Sequence, residues 1–103
     1  MPHLTADIDS VHRDIGDALR EARADLTMIE AAARIGVSQA AVSMWESGHR
    51  QPPLRALPAI AEAYGLTPWV LARRIFARIR LRTRAVAVAV ATASKHNRPR
   101  PSG

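Results

Sequence analysis

Cysteine is absent from this chain of 103 residues, which excludes disulfides and thiolate metal centres. The absence fits a reducing compartment, and a cytoplasmic location is expected. Aromatic residues are scarce: Trp45, Tyr64, Trp69 and Phe76 are all there are. Single-strand binders interleave many such rings with cations on one surface. Here Trp45 and Tyr64 follow helical faces and are expected in the core. No apolar run is long. The longest, 85–91, falls far short of the roughly 20 residues a membrane span needs, so no membrane partner is expected. The opening MPHLTADIDS is polar and acidic, unlike a secretory signal. His3, His12, His49 and His96 are scattered without metal-ligand spacing. No Ser, His and Asp are grouped as a catalytic set, and no glycine-rich loop follows a strand. Neither a metal, a cofactor nor an enzymatic activity is expected.

Acidic residues are missing from the last third. Residues 73–103 carry eight Arg and one Lys against no Asp or Glu, a balance of +9. Residues 1–72 carry six Arg against nine acids, a balance of −3. The net charge of +6 therefore belongs to the C-terminal segment. Excess cation points to phosphate, an anionic surface or an acidic partner.

The segment 27–53, TMIEAAARIGVSQAAVSMWESGHRQPP, is the most informative. Thr27 and Glu30 stand at capping-box spacing and start a helix. Gly36 ends it, and Ser38 is placed to cap the next. Ala31, Ala32, Ile35, Val37, Val42 and Trp45 recur at spacings that let two helices share a small core. Gly48 closes the second helix, and Pro52-Pro53 prevents its resumption. The expected elements are helices over about 10–24, 28–35, 39–47 and 54–64, then a fifth starting at Thr67-Pro68. Residues 78–92 alternate Arg or Val with other residues, which suits a strand, while their alanine content suits continued helix. Both remain open beyond about Leu81. Residues 1–9 are expected to be flexible, residues 10–82 to form the domain, and residues 83–103 to be a basic and Ala/Val extension with a polar tail.

Over roughly residues 15–71 the chain resembles the lambda-repressor/Cro-type (XRE) helix-turn-helix family. The resemblance rests on Leu19-Arg20-Glu21, Leu26-Thr27, Ala31-Ala32, Gly36-Val37-Ser38-Gln39, Val42-Ser43-x-Trp45-Glu46-x-Gly48, Pro52, and Leu57-x-x-Ile60-Ala61-x-x-Tyr64-Gly65-Leu66. It implies an all-α fold of five helices, with the basic extension appended. Two positions depart from the pattern. Met28 replaces a phosphate-holding Gln, and Ala31 replaces a larger aliphatic residue. The link from Arg20 to Thr27 is one residue longer than usual.

The resemblance implies a function and a site. Helix 39–47 would enter the major groove of double-stranded DNA. Gln39 would read an adenine edge, with Ala40, Ser43 and Met44 facing the same bases. Ser38, His49, Arg50 and Arg55 would meet phosphates. Arg78, Arg80, Arg82 and Arg84 would add phosphate contacts, because no Arg or Lys lies between Ser38 and Gly48. Arg20 and Glu46 would form a structural pair orienting the reading helix. A homodimer on a two-fold operator is implied. The apolar surplus of the fifth helix, Val70, Leu71, Ile75, Phe76 and Ile79, with the alternating strip 85–91, is expected to supply its surface. The expected function is a transcriptional regulator, a phage-type repressor or Cro-like switch. Two alternatives are the antitoxin of a toxin–antitoxin pair, with a toxin as partner, and a protein-interaction or membrane-surface adaptor.

Overall fold

A computed structural model describes residues 3–97. Five α-helices follow one another: α1 (His3–Arg23), α2 (Met28–Ile35), α3 (Gln39–Ser47), α4 (Leu57–Ala63) and α5 (Pro68–Asn97). Among the described residues there is no strand.

The local signals act as their chemistry requires. Thr27 accepts the Glu30 amide at 3.1 Å, and the Glu30 carboxylate accepts the Thr27 amide at 3.1 Å, closing the capping box on α2. The bond from the Thr27 amide, joined by the Thr27 side chain, holds the Glu30 carboxyl below its usual range. Gly36 adopts φ +87°, and its amide reaches the Ala32 carbonyl. Ser38 caps α3 by accepting the Ala41 amide at 3.1 Å. Thr67 accepts the Val70 amide at 3.2 Å and starts α5, with Pro68 in the first turn.

α1 packs on both α3 and α5, α2 on α3 and α4, and α4 on α5. The core is Leu19, Val42, Trp45, Ile60, Leu71 and Ile75, with Ala18, Ala22, Ala32 and Ala61 between them. So many small side chains let short helices approach closely, and the larger residues fill the remaining space. Ala31 is fully buried.

Two boundaries differ from the expectation, and a third, open in the sequence, is resolved. α1 begins at His3, seven residues before the expected start, since 3–9 contain neither Gly nor Pro to stop it. The fourth helix opens with a single 3-10 turn over Leu54–Ala56, because Pro58 cannot donate the amide that an earlier α-helical start would use. α5 continues as one helix through the alternating segment to Asn97. No neighbouring strand is there to take up its backbone groups, whereas a helix satisfies them internally. The polar tail falls, from residue 98 on, outside the described residues.

The fifth helix also corrects the expected association surface. Leu71 and Ile75 are buried in the chain's own core, and Val70 and Ile79 are half-buried. Of the five apolar residues assigned to a partner, Phe76 alone is exposed.

Candidate nucleic-acid interface

α3 has two unlike faces. Val42, Trp45 and Glu46 are buried, and Gln39, Ala40, Ser43 and Met44 are exposed. The four residues expected to face bases thus share the solvent side of one short helix. They carry an amide, a hydroxyl, a thioether and a methyl, which together suit the donor, acceptor and thymine-methyl pattern of a major groove. Ser38 is also exposed, with its hydroxyl engaged as the helix cap.

The buried face is fixed to α1. Glu46 lies 2% exposed. Its carboxylate takes both ends of a guanidinium fork: Arg23 Nε donates to Oε2 at 2.6 Å, and a terminal nitrogen donates to Oε1 at 2.8 Å. The same Arg23 donates to the Leu26 carbonyl at 2.6 Å, so one side chain joins α1, the α1–α2 turn and the end of α3. The hydrogen bond to Glu46 raises the Arg23 pKa. Arg20, the partner expected from the sequence, stands 3.8 Å from Glu46 with a side chain 59% exposed. It is an outer member of the cluster. Arg23 lies about one helical turn after Arg20 on the same side of α1, so the choice between them is made by how α1 packs on α3.

A second locking device is Gly16 in α1. A Cβ there would lie 2.7 Å from the Trp45 carbonyl oxygen and closer still to that of Glu46. Only a bare backbone allows α1 to approach the end of α3 this nearly. Sequence reasoning passed over Gly16, because a lone glycine in a helix carries no positional signal of its own. Met28, where the family carries Gln, is half-buried and packs against the core.

Below α3 the chain offers cations. Gly48 takes φ +81°, and the Arg50 amide donates to the Met44 carbonyl at 3.2 Å, which shapes the exit loop. Ser47 Oγ and His49 Nδ1 lie 2.7 Å apart. His49, Arg50 and Arg55 are exposed.

The C-terminal arginines divide into two sets. Arg78 pairs with Glu21, and Arg82 pairs with Asp14, whose carboxylate also accepts a second guanidinium nitrogen at 3.0 Å. Asp14 is 4% exposed. These two arginines fasten α5 to α1. Arg80 and Arg84 are exposed and have no carboxylate partner among the described residues. The alternation in the sequence concealed this division, because a helical period of 3.6 sends alternate residues to different faces.

Among the described residues no group of three or more His, Cys, Asp or Glu is placed to hold a metal, and no helix is long and apolar enough to cross a membrane.

Comparison with known proteins agrees with this fold. A sequence model described as helix-turn-helix matches residues 18–68, about half of the chain. No curated protein matches the chain. Among solved structures, the clp gene regulator ClgR from Corynebacterium glutamicum has a similar fold, with a TM-score of 0.66, 24% identity, and coverage of 87% of this chain and 96% of that one.

Proposed function

Because this chain belongs to the lambda-repressor/Cro-type helix-turn-helix family, we propose that it is a transcriptional regulator that binds a specific double-stranded DNA operator with the exposed face of α3. The observation that carries this reading is the two-sided construction of that helix. Gln39, Ala40, Ser43 and Met44 face solvent, while Trp45, Val42 and the Arg23–Glu46 fork hold the opposite side rigidly. A reading helix needs both: polar and methyl groups to discriminate bases, and a fixed position from which to present them.

In this reading α2 crosses the backbone above α3, as in other helix-turn-helix proteins. Ser38, His49, Arg50 and Arg55 meet phosphates on either side. Two copies bind a two-fold symmetric operator, one half-site each. The regulator is of the phage-repressor or Cro-like kind, acting through occupancy of its site.

A binding selection from a random duplex library, using the purified full chain, would yield a two-fold symmetric consensus. On that consensus Gln39→Ala weakens binding by about 1–3 kcal/mol and leaves binding to random duplex nearly unchanged. Failure to enrich any sequence, or equal losses on operator and random DNA, rejects the reading.

A further inference from the structure

The outward face of α5 carries a groove of about 730 Å³. Trp69, Arg73, Phe76, Arg80, Leu81 and Arg84 line it. Three large apolar side chains there are conspicuously open: Trp69 is 69% exposed, Phe76 68% and Leu81 67%. The Arg73 guanidinium lies over the Trp69 ring at 5.9 Å, which orders one end of the groove. Arg73, Arg80 and Arg84 have no carboxylate partner among the described residues. The helical period places these three arginines in one row, with Trp69 and Phe76 on one flank and Leu81 on the other.

We propose that this groove docks an amphipathic helix of another protein, one that carries a row of carboxylates between apolar residues. The arrangement selects this occupant among those that could cover an apolar face. A second copy of the chain would bring the same arginine row against this one, and no acid lies between 73 and 97 to relieve it. A membrane-surface helix keeps its cations on the face opposite its apolar stripe. Here the cations run through the middle of that stripe, so immersing Trp69, Phe76 and Leu81 would also immerse three guanidiniums. A nucleic-acid backbone would match the cations, yet it brings no apolar surface to Leu81, which is no stacking platform. A protein helix meets both demands, since carboxylates form forked bonds with guanidinium and neighbouring leucines cover the rings. The arginine row spaces the matching carboxylates about 10.5 Å and about 6 Å apart along the partner's axis. In an antiparallel partner this corresponds to acids at i, i+4 and i+11.

The test uses the full chain and a synthetic helical peptide with Glu at i, i+4 and i+11 flanked by Leu. Two controls carry Gln or Lys at the same three positions. Trp69 is the exposed tryptophan and Trp45 the buried one, so a blue shift of the emission reports burial at the groove. The Glu peptide is expected to bind and shift the emission. The Gln peptide should bind at least tenfold more weakly, and the Lys peptide not measurably. Combining Arg73→Glu, Arg80→Glu and Arg84→Glu should reverse the preference between the Glu and Lys peptides. Phe76→Ala should weaken the Glu peptide while operator binding stays intact. All four substitutions lie on exposed positions of α5 outside the α3 surface, so the melting temperature of each variant checks the fold independently. Equal binding of Glu and Gln peptides overturns the proposal. So does a Trp69 shift produced by anionic vesicles, by a single-stranded or duplex oligonucleotide, or by self-association at rising concentration, when the Glu peptide produces none.

Discussion

The most consequential side chain outside the reading face is Arg23. Its fork neutralises a carboxylate that is otherwise sealed from water, and breaking such a pair on one side leaves a buried charge without compensation. Arg23→Ala is therefore expected to cost about 3–5 kcal/mol. Arg20→Ala removes only the exposed outer member and should cost about 0–1 kcal/mol. Thermal and denaturant unfolding of the two variants checks this, and equal losses would return Arg20 to the role the family pattern assigns it. Tyr64 supplies a pH signature. Burial, helped by the charge of Glu46, pushes its phenol up to about 12. Below pH ~10 both folded and unfolded chains carry the neutral phenol. Between there and about 12 only the unfolded chain ionises, so stability falls with rising pH across that window. Tyr64 is the single tyrosine, so phenolate absorbance follows it without interference, and Tyr64→Phe should abolish this part of the alkaline loss. A Tyr64 that titrates near 10 in the folded chain would contradict the burial seen here. The two residues differ in how far the sequence revealed them. The reading face and Trp45 follow from period and motif alone. The identity of Glu46's partner does not, because it depends on which turn of α1 meets α3, a matter of packing and of the small Gly16 rather than of local pattern.

At the scale of elements, α2 and α3 were the legible part. Caps, glycine stops and apolar spacing all act within a few residues, so the sequence contains the whole instruction. α5 was not legible in the same way. Its first half is core-forming through Leu71 and Ile75, while the residues described beyond Arg82 are exposed. Alternation of Arg with Ile or Leu looks strand-like until the contacts with α1 are known. These contacts give an expectation about truncation. A chain ending at Thr67 loses Leu71 and Ile75 and should not fold, so it cannot report on association. A chain ending at Arg84 keeps the core and both ion pairs to α1, and should melt within about 0.5 kcal/mol of the full chain, as surface changes do. An isolated helical segment this short is marginal in water, so amides beyond residue 88 should exchange quickly with solvent. Slow exchange there in the free protein, or a large loss of stability on truncation at 84, would show that the end of α5 has a partner within the fold.

For the whole molecule, the decisive quantity is where the charge goes. A net −3 over residues 1–72 is a poor surface for a polyanion. α5 offsets part of it internally: Arg82 meets Asp14 and Arg78 meets Glu21, as Arg23 meets Glu46. Cations used in this way mask acids of the body. The salt dependence of operator binding separates this use from phosphate contact, since each phosphate neutralised contributes about −0.9 to the slope of log K against log salt. Replacing Arg50 and Arg55 by Gln should flatten the slope by about two units per bound copy, with operator preference over random duplex retained. Replacing Arg78 and Arg82 by Gln should leave the slope unchanged and lower the melting temperature instead, because Asp14 is left buried beside no cation. Slopes measured on both double variants, alongside their melting curves, decide the matter. A flattened slope with unaltered melting for the Arg78 and Arg82 variant would mean that α5 leaves α1 to grip DNA, and would return those arginines to the phosphate role their position in the sequence first suggested.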